Sequence, residues 1–186
     1  MNLLDTIRSH ARGGILTGPE IRKQVERGRI TISPFDAENL NPNSYNIRSG
    51  NTVIMYAVRK WIDLRDSSTW DTTAVTYDIP EDGFMLRPGN LYLIPTQEVI
   101  GSNYFEPIIT GRSSAGRLGI AIHQEAGFAD IGYLGRLTMQ VKVTYPTKIY
   151  PNIPCAQVYF LTAYGKIQRY EGRYQYSKDV QPSKGL

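Results

Sequence analysis

From Ile30 to Leu161 the chain is cut into ten short β-like runs, punctuated by Gly, Pro, Asn and Asp. They are Ile30 to Ile32, Ser44 to Arg48, Thr52 to Met55, Phe84 to Leu86, Leu91 to Pro95, Ile108 to Gly111, Ile120 to His123, Leu137 to Val143, Thr147 to Ile149 and Ala156 to Leu161. Short strands separated by turn formers at this density are what sandwiches and barrels are made of. The stretch Asp63 to Asp78 interrupts them and reads as a polar loop.

One helix stands apart, at the N-terminal side. Thr17 precedes Pro19 in the first turn, and Glu20 follows the cap by three residues, the spacing of a capping box. Leu16 and Ile21 occupy the two ends of a hydrophobic staple, Ile21 and Val25 share a face, and Gly28 suits a left-handed C-terminal residue. The pattern predicts a helix from Gly18 to Arg27 and an all-β body behind it. Leu3, Leu4 and Ile7 suggest a short amphipathic turn that Gly13-Gly14 breaks, so residues 1–14 read as an N-terminal extension.

Composition narrows the function classes. With 186 residues, 41% hydrophobic and 20% charged, the chain is globular, long enough for one domain with its own core and without the makeup of a disordered or collagenous protein. A single cysteine, Cys155, excludes an intramolecular disulfide and a Cys-rich zinc site and suits a reducing compartment, so a cytoplasmic protein is expected. No apolar run approaches a membrane span and no secretory signal precedes Gly14. The net charge of +4 is spread along the sequence without a basic stripe interleaved with aromatics, so no nucleic-acid partner is expected.

Three segments carry chemistry. Gly111-Arg112-Ser113-Ser114-Ala115-Gly116-Arg117 sets two guanidinium groups and two hydroxyls among glycines, which suits a phosphate chain and equally a basic surface turn. It is not a Walker motif, because no Gly-Lys-Ser/Thr closes it. His123-Gln124-Glu125 with Pro154-Cys155 begins to look like the H-x-E and P-C-x-x-C pair of zinc nucleobase deaminases, but Val158 stands where the second cysteine is needed, so no zinc is expected. Ala126 to Gly135 is a Gly-rich turn with Asp130 and Tyr133; its carboxylate can meet a sugar hydroxyl or hold a water, or form an ordinary Asx turn.

Read together, these segments resemble the dCTP deaminase branch of the dCTP deaminase/dUTPase superfamily, from Ile15 nearly to the C-terminus. The resemblance rests on Ile15-Leu16-Thr17-Gly18, Leu40-Asn41-Pro42-Asn43-Ser44-Tyr45-Asn46, Gly111-Arg112-Ser113-Ser114 with Arg117-Leu118-Gly119, and Ala126-Gly127-Phe128 with Asp130 and Gly132-Tyr133. Cys155-Ala156-Gln157 and Tyr170-Glu171-Gly172-Arg173-Tyr174-Gln175 complete it. It implies a distorted double-stranded β-helix, a jelly-roll-like barrel of the dUTPase type, spanning 15–165, with a tail over 166–186 that closes on the site. It also implies a homotrimer with sites between subunits, each taking deoxycytidine or deoxyuridine triphosphate with Mg2+ bound through the triphosphate and no direct protein ligand to the metal.

Residue by residue, the resemblance gives phosphate contacts to Arg112, Ser113, Ser114, Gln157, Tyr170 and Arg173, and makes Arg117 the support of the catalytic water. Ser113 joins Arg117 and Asp130 among the catalytic groups. Base and sugar contacts fall to Ala126, Asp130, Tyr133, Thr138, Met139 and Gln140, with Asp130 at the 3'-hydroxyl and Tyr133 against the deoxyribose. Tyr174 and Gln175 belong to the tail, which departs from the commoner pattern at Ser177, where Gln often stands. The larger departure is Gln140, at the place of the glutamate that deprotonates water in the deaminase branch. An amide cannot titrate, so deamination is expected to be impaired. Three readings follow: an impaired dCTP deaminase continuing to dUTP or dUMP, a dUTP diphosphatase using Asp130, and a silent deoxynucleotide-binding regulator.

Overall fold

The computed structural model describes residues 13–56, 61–69, 74–123 and 125–184; the short turn expected at Leu3, Leu4 and Ile7 lies outside the described residues. Helix α1 runs Gly18–Glu26 with Pro in its first turn. Leu16 and Ile21 are both buried, as a staple requires. The capping box does not form: Thr17 makes no side-chain cap bond, and Glu20 instead bonds the Gln24 amide one turn on and pairs with Lys23 at 3.6 Å. Gly28 closes the helix at φ +66°, with its amide on Val25 O and that of Arg29 on Gln24 O.

Behind the helix the described chain is all-β. The strands are β1 Ile30–Ser33, β2 Tyr45–Arg48, β3 Thr52–Tyr56, β4 Ala74–Asp78, β5 Phe84–Leu86 and β6 Tyr92–Ser102. They continue as β7 Phe105–Gly111, β8 Ile120–Ile122, β9 Leu134–Val143, β10 Thr147–Ile149 and β11 Pro154–Thr162, with a short helix α2 at Ser113–Arg117. β4 corrects the reading of Asp63 to Asp78 as a loop throughout. It is an edge strand with no buried residue, so no alternation of apolar and polar positions marks it.

The long strand β6 organises the larger sheet, β4-β3-β6-β9-β8. One edge pairs with β3 at Tyr92 and Leu93 and with β1 from Val99 to Ser102, while the other pairs with β9 from Tyr92↔Val141 to Gly101↔Leu134. A second sheet, β2-β11-β7, supplies the opposite wall, and β10-β5 forms a small ribbon. Tyr45, Ile47, Ile94, Ile100, Val158 and Phe160 are almost fully buried in one cluster drawn from both larger sheets. Each such side chain contributes about 1.5–3 kcal/mol on burial.

Pro95 ends the predicted fifth run, yet β6 continues past it, because the register with β9 shifts between Pro95 and Val99. A bulge tolerates the missing proline donor. The Thr96 hydroxyl fills the gap, accepting the Leu137 amide at 3.0 Å and donating to Glu98 O at 2.7 Å. The bulge also drives Glu98 inward to full burial, where it meets the Arg48 Nε at 2.6 Å and the Arg48 amide at 2.9 Å. This pair ties β2 of one sheet to β6 of the other.

After β11 the described chain has no further helix or strand, and its tail lies along the first half of β9. Tyr170 N donates to Ile131 O, Tyr176 N to Leu134 O, and Arg136 N to Ser177 O, all at 2.8–2.9 Å. Two glycines permit this approach: a Cβ at Gly132, whose φ is +100°, would lie 2.7 Å from Arg169 Cβ, and one at Gly135 would lie 2.8 Å from Ser177 N.

Replacing Arg48 by Met would leave the buried Glu98 without its cation. Urea unfolding should show a loss of about 3 kcal/mol; a loss below about 1 kcal/mol would show that the pair is not needed to join the sheets.

Candidate active site

Strand β9 separates two environments because its side chains alternate. Leu137, Met139, Val141 and Val143 are buried in the core, while Arg136, Thr138 and Gln140 are half-exposed on the other face. That second face, with an edge of Leu137, forms part of a cavity of about 1070 Å³. The loop from Ala126 to Tyr133 makes another wall, the tail at Tyr170, Tyr174 and Ser177 a third, and Trp61, Ile62 and Leu64 an apolar rim.

The cavity brings together Ala126, Asp130, Tyr133, Thr138, Gln140, Tyr170 and Tyr174 from the residues singled out in the sequence. Met139 does not line it; its side chain packs inward with Sδ 4.0 Å from Cys155 Sγ, so a base contact from Met139 can only use its main chain. Burial pushes the Cys155 thiol up to about 12.

Gln140 points its amide into the cavity and makes no side-chain hydrogen bond to a described residue. Its carbonyl accepts the His123 amide at 2.9 Å. His123, at φ +59°, also lines the cavity; one ring nitrogen bonds Ala126 O, and Nδ1 is buried without a partner among the described residues. Burial moves the His123 pKa below the ordinary histidine value, so the ring is neutral at pH 7.

Tyr133 is fixed rather than free. Its hydroxyl donates to Arg136 O at 2.7 Å, its ring meets Tyr170 edge-on at 5.9 Å, and burial pushes its pKa up to about 12. Thr138 Oγ1 accepts the Gln181 amide at 3.0 Å, which brings the tail across the same wall. Asp130 presents an exposed carboxylate from a left-handed residue, φ +59°, with its amide held by Glu106 Oε1 at 3.0 Å.

The other predicted site residues lie outside this cavity. Ser113, Ser114 and Arg117 are exposed on α2, and Arg112 at its start donates from Nη1 to Pro154 O at 2.8 Å. Gln157 is engaged on both sides, accepting from Ser44 Oγ at 2.8 Å and donating to Gly111 O at 3.0 Å. It thereby joins the Asn41 to Asn46 turn to the segment that begins the phosphate motif. Arg173 Nη1 donates to Lys184 O at 2.5 Å, and Gln175 spans Leu134 N and Gly132 O within the tail.

The sequence reading missed Phe128 and the rim at Trp61, Ile62 and Leu64. Large apolar residues in loops, Phe128 in a Gly-rich one and Trp61, Ile62 and Leu64 in a polar one, were the available signal: Phe128 remains 69% exposed and Leu64 also 69%. Glu106 was missed without any such signal, since its partner is 24 residues away in sequence.

The family described as dCTP deaminase-like matches residues 15–163. A protein of Clostridium beijerinckii named "dCTP deaminase, dUMP-forming" is 42% identical over 170 residues, covering 91% of this chain and 95% of its own length. One of Cytophaga hutchinsonii with the same name is 39% identical over the same shares. The crystal structure of 2'-deoxycytidine 5'-triphosphate deaminase from Agrobacterium tumefaciens superposes with a TM-score of 0.64 at 20% identity, over 81% of this chain and about half, 49%, of that one. That structural likeness concerns the fold, whereas the family match and the sequence identities extend across nearly the whole chain: it belongs to the dCTP deaminase-like family.

Proposed function

We propose that the chain is a hydrolase of pyrimidine deoxynucleoside triphosphates, converting dCTP to dUTP and on to dUMP, with its deamination step impaired by Gln140. The observation that carries this reading is the convergence of Gln140, Thr138, Asp130 and Tyr133 on one cavity. The relatives' name, dUMP-forming dCTP deaminase, supports both halves of the conversion.

In this reading the pyrimidine lies against the Thr138 and Gln140 face of β9, Tyr133 packs on the deoxyribose, and Asp130 meets the 3'-hydroxyl. Deamination requires a group that takes a proton from the water attacking C4 and passes it to the departing amine. The Gln140 amide can orient that water but not deprotonate it, a loss of about 10²–10⁴ in rate. Diphosphate release does not need Gln140, because the exposed Asp130 carboxylate is available to activate a water at the α-phosphate. That observation also favours a second reading, a dUTP diphosphatase alone.

Arg112, Ser113, Ser114 and Arg117 do not line the cavity, which supports their acting from a second copy of the chain on a shared triphosphate. With the family resemblance, this supports a homotrimer with sites between subunits. The donors of that segment, guanidinium and hydroxyl, suit phosphate oxygens rather than a cation, so magnesium is assigned to the triphosphate itself. Light scattering should give a trimer; a monomer that binds nucleotide tightly would overturn the shared site.

Incubation with dCTP and dUTP in parallel, following ammonia and pyrophosphate separately, tests the chemistry. Pyrophosphate from dUTP should outpace ammonia from dCTP. Gln140→Glu should raise ammonia release by about 10²-fold or more, with a pH dependence reporting one carboxylate. If that variant stays inert toward dCTP while the parent cleaves dUTP, the diphosphatase reading replaces the first; inactivity of both proteins toward both nucleotides favours a silent binder.

Sugar selectivity gives a separate test. CTP and UTP should bind about tenfold worse than their deoxy forms, a difference of about 1.4 kcal/mol. Tyr133→Ala should abolish that difference in calorimetric titrations, and equal binding by the parent would remove Tyr133 from the sugar site.

A further inference from the structure

Strand β7 begins with a carboxylate that the reading above does not use. The loop approaching Asp130 is zipped to this strand by main-chain bonds, from Ile109 N to Gly127 O at 2.9 Å and from Ala129 N to Pro107 O at 3.0 Å. One residue further the main-chain pairing gives way to a side chain: Glu106 Oε1 accepts the Asp130 amide at 3.0 Å. The residue so held, Asp130, has φ +59°, a conformation that an L-residue keeps when its surroundings enforce it.

Glu106 faces a second, smaller cavity of about 360 Å³, and Asp130 stands on the wall between this and the larger one. Lys166 and Arg169 line the smaller cavity as well, but neither forms a salt bridge with Glu106 among the described residues. The bonds of the Glu106 carboxylate thus go to the backbone of the turn. Burial, and then the nearby Asp130 charge, holds the Glu106 pKa above the ordinary glutamate value. A carboxylate kept beside another at that cost needs a compensating gain, and the bonded Asp130 amide supplies it.

We propose that Glu106 is a positioning residue for Asp130: by holding the Asp130 amide it fixes the left-handed turn that presents the Asp130 carboxylate to the 3'-hydroxyl of the nucleotide. The inference rests on the reading of Asp130 given above. It assigns Glu106 no contact with substrate, and it separates two effects that a general loss of stability would move together, binding of the sugar hydroxyl and binding of everything else.

The test uses the non-hydrolysable ligand α,β-imido-dUTP and its 3'-deoxy counterpart, with the full chain and calorimetric titration. The parent should prefer the 3'-hydroxyl form by about tenfold, the size expected for one hydrogen bond to a charged group. Glu106→Ala should erase that preference while binding the 3'-deoxy ligand within about threefold of the parent. Glu106→Asp, which shortens the reach, should reduce it, and Glu106→Gln, whose amide oxygen still accepts an N–H, should keep most of it. If Glu106→Ala and Glu106→Asp keep the parent's preference, or weaken both ligands equally, the positioning role is overturned and the reading of Asp130 stands. If the parent itself binds the two ligands equally, Asp130 does not meet the 3'-hydroxyl, and both assignments fall.

Discussion

The site depends on the register of β9 against β6. A strand has a period of two, so a slip by one residue would throw Met139 and Val141 into the cavity and draw Thr138 and Gln140 into the core. The pairing Leu93↔Gln140 and Ile94↔Met139 prevents this, and the bulge beyond Pro95 anchors it. There the Thr96 hydroxyl takes the Leu137 amide, while Glu98 turns inward to Arg48. One irregularity therefore fixes which face of β9 lines the cavity and fastens the two sheets to each other.

Much of the fold was legible because the runs that become strands are bounded by residues that cannot continue them. Gly28 ends α1 as expected, and Ile30, Phe84, Thr147 and Ile149 mark strand limits where the sequence places them. The failures have physical reasons. β4 is an exposed edge and carries no burial pattern, and β6 runs through a proline that only a bulge makes acceptable. Glu20 has the spacing for a capping box but finds Gln24 and Lys23 on its own helix instead, which local bonding makes an equally accessible choice.

The candidate site was legible where its groups share a strand or a turn. Thr138 and Gln140 come from the family resemblance, and Asp130 and Tyr133 also from the density of glycine around them. Long-range partnerships were not legible: Glu106 reaches Asp130 across 24 residues, Gln157 reaches Ser44 across 113, and Thr52 reaches Asp179 across 127. Hydrogen bonds of this kind depend on the packed sheets, and no local pattern in the sequence encodes them. The same holds for the tail, whose course over β9 is set by the absence of a Cβ at Gly132 and Gly135 rather than by a strand propensity of its own.

Under the proposed function, Gln140 stands in for a general base with little effect on the fold. Its side chain stands half-buried above Leu93, its cross-strand partner, and makes no bond to a described residue. A carboxylate in that place would lose hydration, and its pKa would rise toward the range a general base needs; desolvation that costs stability is thus the same term that supplies reactivity. The amide has almost the same shape and avoids the charged form altogether. It relieves the strand of a buried ionisable group while keeping a donor and an acceptor toward the ligand. Under the proposed function, recognition of the pyrimidine and removal of its amine would be separable at this position, the first resting on shape and hydrogen bonding, the second on a proton that only the acid can carry.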